Sequence, residues 1–472
     1  MRRTKIVATI GPASRDEETL LQMVEAGLDV ARLNMAHGTR DQHAETVGRV
    51  HRASERAGRP VAVLQDLPGP KLRIGPLKDG VAELSVGDRV TFVCHDGGEI
   101  EGDEHRMSIS WAGLPKALSD QEQEILYLAD GSVRLRAEAV RVESGEIDTV
   151  VRVGGPVASR QGLNIPGELD ELPAVLQDDL DTLAYGEKIG VDIAALSFVR
   201  RAQDVEQVRA HTRIPLIAKI EKPQAVERIE EITRVADCLM VARGDLGIEM
   251  PVEEVPMVQK RIIAEAGLRA RPVITATQML ESMVTSSRPT RAEVADVANA
   301  ILDGTDAVML SAETAVGQHP IGAVEMMARI AEHTETAAPY DYWNEHRVHR
   351  DGRDPAYTVA HNACVAVRQL KLAALVIPTL SGRSVRLVSA HRPEVPIYAL
   401  SPGRETVRRC ALIWGVQAEH IRRHEVTEDL IKDCARRVLE LGWVERGQRI
   451  GITAGLPSGS PGTTSLFQVQ QV

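Results

Sequence analysis

The sequence predicts an α/β protein: a (β/α)8 TIM barrel carrying an inserted small β-barrel lid domain and followed by a C-terminal α/β domain. Three observations predict it. Eight short, nearly continuous apolar runs alternate with helix-length amphipathic stretches, as strands buried on both faces do. The alternation breaks once, after Asp66, into short strand-like segments separated by turns. After residues 336–355, rich in Pro, Tyr, His and charge and read as a linker, an α/β pattern resumes. An open doubly wound sheet is the structural runner-up.

The barrel strands are read at Lys5 to Ile10, Val30 to Met35, Val61 to Asp66, Ile193 to Phe198, Pro215 to Ile220, Cys238 to Arg243, Pro272 to Thr277 and Ala307 to Ala312. Stretches such as Val252 to Leu268 and Arg291 to Leu302 supply the helices. Inside the insertion, Val86-Gly87-Asp88, Asp130-Gly131 and Glu143-Ser144-Gly145-Glu146 are turns, and Asp-Gly between strand-like runs signals a hairpin. An insertion after the third strand sits at the catalytic end of a barrel, where a mobile cap is useful. In the last part, Leu372 to Leu380, Pro396 to Ser401 and Arg449 to Ala454 read as strands. The expected domains are 1–69 with 162–338 for the barrel, 70–161 for the lid and 339–472 for the C-terminal domain.

Composition narrows the function. An apolar content of 43% excludes long disordered regions, and a net charge of −11 disfavours a general nucleic-acid binder. No run of about eighteen apolar residues exists, so no membrane span is expected. The N-terminus passes almost directly into the first strand and shows no targeting segment. Five cysteines without a CxxC pair point to reduced thiols and a cytoplasmic location, not to a disulfide framework or a zinc ribbon.

Barrel enzymes gather chemistry at the C-terminal ends of their strands. Here those ends carry Arg32 and Asn34, Asp66, Ser197, Lys219 and Glu221, Arg243 and Asp245, Thr277, then Ser311 and Glu313. Any one of them is explained by strand ends meeting water; the succession of lysine and carboxylates is not. Lys219 and Glu221 are two apart and so share a face of their strand, with Asp245 ending the next strand. Two carboxylates with few other ligands suit Mg²⁺ or Mn²⁺, which keep waters and bind substrate oxygens. A structural ion pair of Lys219 with Glu221 or Asp245 is the plain alternative, and a Schiff-base lysine is another functional one. Gly244 and Gly247 flank Asp245 and leave room for a carboxyl or phosphate group, or form an ordinary turn. Further on, Thr379-Leu380-Ser381-Gly382-Arg383-Ser384 follows a strand and opens a helix, the arrangement of either a phosphate site or a simple helix cap. The loop from Gly455 to Thr464 is placed to close over it.

With these residues in hand, the chain resembles the pyruvate kinase family over nearly its whole length. The resemblance rests on TKIVATIGPAS from Thr4, ARLNMAHG from Ala31, GLNIPG from Gly162, ALSFVR from Ala195, AKIEKP from Ala218, MVARGDLG from Met240, TATQMLESM from Thr275 and RPTRAEVADVANAILDGTDAVMLSAET from Arg288. It implies transfer of a phosphoryl group from phosphoenolpyruvate to ADP, giving pyruvate and ATP, the last step of glycolysis. It further implies that Glu221 and Asp245 hold the divalent metal and that Lys219 stabilises the phosphoryl group and the enolate oxygen. By the same resemblance Thr277 lies near the enolpyruvate carbon, and Arg32 and Arg73 meet phosphates. The turn Ala242, Arg243, Gly244 faces substrate. Asn34 and Asp66 match ligands of a monovalent cation. Thr379, Ser381, Gly382, Arg383 and Ser384 match the phosphate loop for a phosphorylated allosteric effector, and a homotetramer is expected.

Three departures stand out. Asn34-Met35-Ala36-His37 replaces the family's usual Asn-Phe-Ser-His, removing a cation-binding hydroxyl. Asp66-Leu67-Pro68-Gly69-Pro70-Lys71 replaces Asp-Thr-Lys-Gly-Pro-Glu, and Gln161 stands where many members have a nucleotide-facing lysine. Lys71 resembles the lysine of members that work without potassium, so potassium is expected not to be required; a solvated hinge lysine is the alternative. Two other functions compete, a metal-dependent barrel lyase or aldolase and a catalytically silent binding protein.

Overall fold

Strands enclosed by their own side chains inside and by helices outside must be apolar throughout, and the barrel strands meet that demand almost without exception. The computed structural model describes residues 2–98, 100–119, 125–165, 172–346, 354–455 and 464–472. The eight strands are β1 (Lys5–Thr9), β2 (Val30–Asn34), β3 (Ala62–Asp66), β4 (Ile193–Leu196), β5 (Leu216–Ile220), β6 (Cys238–Ala242), β7 (Val273–Ala276) and β8 (Ala307–Leu310). They pair in parallel and close in the order β1-β8-β7-β6-β5-β4-β3-β2. Within them only Arg32, Asn34 and Lys219 are not fully buried. Several strands stop short of the expected ends. Phe198 and Thr277 turn out of the sheet with φ of 56° and 70°, and Arg243 opens the helix Arg243–Glu249.

The other end of the barrel carries a fourfold pattern that no local sequence motif announces. Asp29, Asp192, Asp237 and Asp306 each stand one residue before an even-numbered strand. Each accepts the backbone N–H of a neighbouring odd-numbered strand: from Ile6 at 2.8 Å, and from Val63, Leu216 and Val273 at 3.0 Å. The four carboxylates thus satisfy strand N–H groups that face no further partner strand residue there.

Between β3 and β4 lie two sheets over one core. A five-stranded sheet runs Arg106–Ile109, Arg89–Cys94, Glu146–Val153, Val133–Arg141, Ile125–Leu128, and a two-stranded one pairs Gly155–Ala158 with Val81–Leu84. Phe92, Met107, Leu135 and Leu84 share their core. Asp130-Gly131 and Glu143–Glu146 connect antiparallel neighbours, as expected of hairpins. The turn at Gly87 does not: Val81–Leu84 and Arg89–Cys94 go to different sheets.

The C-terminal sheet runs Val416–His420, Ile397–Ser401, Ala374–Pro378, Arg449–Ala454, Leu466–Gln471, with only the last strand antiparallel. Its two outer strands went unread because edge strands are half exposed and carry polar residues, such as Gln417, Glu419, Gln468 and Gln470, instead of apolar runs. The expected linker also contains a helix, Tyr340–His346, whose Trp343 is buried edge-on to Tyr340 at 5.5 Å; residues 347–353 of that linker lie outside the described residues.

This domain covers the aspartate end of the barrel. Ala411 and Leu412 join the core of the barrel interior. Arg392, fully buried, meets Asp306 at 3.0 Å and the Gly304 carbonyl at 2.7 Å beneath the Trp414 ring. Arg408 reaches Asp192 at 2.9 Å, and Arg409 donates to the Asp192 carbonyl at 3.1 Å. Burial raises the Asp192 carboxyl to about 6, even though Arg408 pulls it down. A carboxyl raised in the folded state favours folding when protonated, and that contribution is lost as pH rises through about 6. Removing the guanidinium strands a buried charge, at a cost of about 3 kcal/mol or more. Arg408→Met should therefore lower stability by roughly that amount at pH 7.5, and by clearly less at pH 5, in denaturant titrations. An equal deficit at both pH values would show that Asp192 is not the group left exposed.

Candidate functional site

The open end of the barrel is spanned by one chain of charges across β1 to β5. Arg32 donates to Thr9 Oγ1 at 2.8 Å and to Asp66 Oδ2 at 2.7 Å. Asp66 Oδ1 lies 3.2 Å from Lys219 Nζ, which is also 2.8 Å from Glu221 Oε1 and donates to Ser197 Oγ at 2.8 Å. Ser197 in turn donates to the Leu67 carbonyl at 2.8 Å. The parallel register sets Asn34 beside Asp66 and Ala195 beside Asp66, which brings these strand ends level.

Burial opposes the charges of Asp66, Lys219 and Glu221, and pairing outweighs it at Asp66 and Lys219 but not at Glu221. Burial works against ionised Asp66, but Lys219 and Arg32 hold its carboxyl below the ordinary range. Burial alone would lower Lys219; Asp66, Glu221 and Asp245 outweigh it and raise the amine well above its usual value. Lys219 is therefore a fixed ammonium. A Schiff-base nucleophile must first lose that proton, so the geometry argues against the aldolase alternative. Burial pushes Glu221 upward and Asp245 adds to it, with Lys219 and the Phe198 N–H pulling the other way.

Strained turns place the remaining groups. Phe198, in the left-handed region, aims its N–H at Glu221 Oε2, 2.6 Å away. Thr277 and Gln278 are both left-handed, and Thr277 Oγ1 accepts the Gly244 N–H at 2.7 Å. Fully buried Glu313 anchors that loop by accepting the N–H groups of Leu280 at 3.0 Å and Ser311 at 2.6 Å. The Arg243 side chain turns away to Asp296 at 2.7 Å and the Thr277 carbonyl at 2.8 Å, leaving only its backbone near the turn.

Asp245 sits at the rim, 4.0 Å from Lys71 Nζ. Gly162 makes room for Lys71: a Cβ there would come within 2.5 Å of Lys71 Cε. Asn34 uses its amide oxygen on the Ala36 N–H at 3.2 Å. Arg73 donates to the Arg160 carbonyl at 3.1 Å on the lid, and among the described residues no hydrogen bond or ion pair joins its side chain to the other candidates. Arg32, Asp66, Lys219 and Glu221 are thus brought together, Lys71 faces Asp245, and Thr277 faces Gly244. Thr9, Phe198 and Glu249, which pairs with Lys222 at 2.5 Å, were not anticipated. Thr9 was legible as the end of the first strand; a left-handed Phe leaves no sequence signal.

Glu221 and Asp245 fit a hard divalent cation. They offer oxygen only, and the like charge of Asp245 adds to burial in raising Glu221, a charge repulsion that a bound cation would relieve.

In the C-terminal domain, Gly382 has φ 79° and donates to Thr379 Oγ1 at 2.9 Å. Arg383 pairs with Asp354, and the Ser384 hydroxyl meets that of Thr464. Most of the loop expected to close here, 456–463, lies outside the described residues.

Comparison with known proteins agrees with this architecture. The family model described as "Pyruvate kinase, barrel domain" matches residues 1–324, and "Pyruvate kinase, alpha/beta domain" matches residues 357–470. The chain is 40% identical to a pyruvate kinase of Geobacillus stearothermophilus over all of its own length and 80% of the relative's. It is 37% identical to one of Clostridium acetobutylicum, with both chains covered completely. A pyruvate kinase of Staphylococcus saprophyticus is 40% identical over the whole chain and 81% of that relative. With both models matched in sequence order and full-length relatives at this identity, the chain belongs to the pyruvate kinase family of phosphotransferases.

Proposed function

We propose that this charge chain is the centre that moves the phosphoryl group of phosphoenolpyruvate onto ADP, yielding pyruvate and ATP. The observation that carries the reading is the Lys219 ammonium, locked between Asp66 and Glu221 at the open barrel end. Phosphoryl transfer asks a protein mainly for positioning and fixed positive charge. The bond from phosphorus to the enol oxygen breaks as a β-phosphate oxygen of ADP bonds to phosphorus. Lys219 and Arg32 face the negative charge shared by the transferring group and the enolate oxygen. The backbone of Ala242 to Gly244 receives the substrate carboxylate, and Thr277 stands where the enolate carbon takes its proton, through water. Arg73, on the lid, reaches phosphate only when that domain closes.

Glu221 and Asp245 would hold Mg²⁺ or Mn²⁺, which when bound supplies further positive charge to the substrate oxygens. Effector control by a phosphorylated metabolite at Thr379 to Ser384 belongs to the same reading, as do a homotetramer and a cytoplasmic location. The described cysteines are all free and buried, consistent with reduced thiols. No helix among the described residues is long and apolar enough to cross a membrane.

Glu221→Gln and Asp245→Asn should each stay folded, bind Mn²⁺ at least about tenfold more weakly by electron paramagnetic resonance, and lose at least about 10²-fold in pyruvate formation. Ordinary Mn²⁺ binding in either variant would remove it from the ligand set.

Potassium independence follows from Lys71. Its tethered ammonium beside Asp245 supplies a positive charge at the site's edge, while Leu67 packs into the barrel core and Ala36 offers no hydroxyl. Activity with tetramethylammonium as the sole monovalent salt should be unchanged by added potassium, and Lys71→Glu should become inactive or salt-dependent. Strong activation of the unaltered enzyme by potassium would end this reading.

A further inference from the structure

The chain passes from barrel to lid through residues 67–74, and residues 161–165 lead back; the two segments are joined to each other. Leu163 donates to the Leu72 carbonyl at 2.8 Å and Ile74 to the Gln161 carbonyl at 3.0 Å, with Arg73 and Gly162 forming an antiparallel bridge. The hinge is therefore a two-stranded ribbon, which carries Lys71 beside Asp245 and Arg73 on the lid. Asn164 continues it into the lid by exchanging both backbone hydrogen bonds with Tyr127, at 2.8 and 2.9 Å. The outgoing strand is fixed early, where Gly69 donates to Asp179 at 3.0 Å. Beyond that point a small cleft lies under the ribbon, lined by Pro70, Leu72, Leu163 and Phe198 together with Lys222 and Glu249. Apolar walls resist separation but leave sliding open, because the hydrophobic effect has no direction.

The returning strand is held by charge. Lys222 Nζ lies 2.5 Å from Glu249 Oε1 and donates to the Ile165 carbonyl at 3.4 Å. Burial pushes the Glu249 carboxyl upward, and Lys222 and the Asn164 side chain pull it back. Glu249 closes the helix Arg243–Glu249, whose first turn carries Asp245. Ile248 of that helix lies against the lid turn 129–131, since a Cβ on Gly131 would come within 3.5 Å of Ile248 Cγ1. One short helix thus presents Asp245 to the site and its last two residues to the lid and its hinge. Its first turn is anchored separately, by Gly244 on Thr277 and Arg243 on Asp296. A buried ion pair gains little stability over apolar residues of similar volume; what it adds is one defined geometry.

We propose that Lys222 and Glu249 are positioning residues for ADP: their buried pair clamps the hinge ribbon to the barrel and so sets where Lys71 and Arg73 stand relative to Asp245. The inference rests on the phosphoryl-transfer reading above, in which Arg73 meets phosphate as the lid closes. Without the clamp the ribbon slides over its apolar cleft, and the lid brings Arg73 to the nucleotide in many orientations instead of one.

The test compares the full chain with Lys222→Met, Lys222→Arg, and Lys222→Met combined with Glu249→Leu, which leaves no buried carboxylate stranded. Hydrogen exchange of residues 70–76 and 161–165, measured by mass spectrometry without ligands, reads the hinge directly. Lys222→Met and the double variant should exchange there at least about tenfold faster than the unaltered chain. Both should raise the KM for ADP at least about tenfold, the scale of one lost charge-assisted contact. The KM for phosphoenolpyruvate and the Mn²⁺ affinity should stay within about twofold, because the substrate turn and the metal ligands keep their own anchors. Lys222→Arg, which keeps a cation and its donors, should restore both exchange and KM. Unchanged exchange in the double variant would overturn the clamp. Faster exchange with the KM for ADP unmoved, or with both KM values rising together, would overturn its role in placing ADP. A complete lack of pyruvate formation by the unaltered chain would instead sink the phosphoryl-transfer reading, and exchange would still decide the clamp.

Discussion

Arg32, Asp66, Lys219 and Glu221 are two cations and two carboxylates with little access to water, and no member is stable there alone. Moving an ion into such surroundings costs several kcal/mol, roughly, and only close opposite charge offsets it. The pairing distances of 2.7, 3.2 and 2.8 Å supply that offset. The constraint reaches outward. Strand ends must be level to within a side chain's length, which the parallel register of β2, β3, β4 and β5 provides. Left-handed turns at Phe198 and Thr277 hold the contacts to Glu221 and Gly244.

The two ends of the barrel solve opposite problems. At the aspartate end each carboxylate accepts a strand N–H, and arginines neutralise the acids, from the barrel at Asp29 and Asp237 and from the C-terminal domain at Asp192 and Asp306; this is stability chemistry. At the other end Lys219 and Arg32 are held as paired cations, and Asp245 and Lys71 remain partly exposed. Function in barrels resides at that end, and the division of labour here is drawn in the charges themselves. Among the described residues, Arg392, Arg408, Ala411 and Leu412 of the C-terminal domain meet the barrel at the aspartate end.

Much of this was legible in the residues. Apolar runs buried on both faces marked all eight barrel strands, because strands covered by helices outside and side chains inside must be apolar throughout. Two-residue periodicity put Lys219 and Glu221 on one face. What could not be read was anything depending on contact between distant segments. Asp66 reads as a polar strand end, and nothing in its neighbourhood announces that it pairs with Lys219, far along the chain. The four base aspartates escaped notice because each sits alone before a different strand, without a local motif. Edge strands of the C-terminal sheet were invisible for the opposite reason, since half-exposed strands mix polar and apolar residues as loops do.

The central claim is that Asp66 holds Lys219 and Arg32 as fixed positive charges for the reaction, and Asp66→Asn tests it most directly. The substitution keeps shape and removes one charge, leaving Glu221 and Asp245 untouched. Steady-state kinetics with Mn²⁺ binding measured on the same preparation separates charge placement from metal site integrity. The account predicts a folded protein with near-normal Mn²⁺ affinity and a kcat reduced by about 10²-fold or more, the scale of losing preorganised charge at a transition state. A variant that turns over within about twofold of the original, which is under about 0.5 kcal/mol of barrel-end electrostatics, would contradict it.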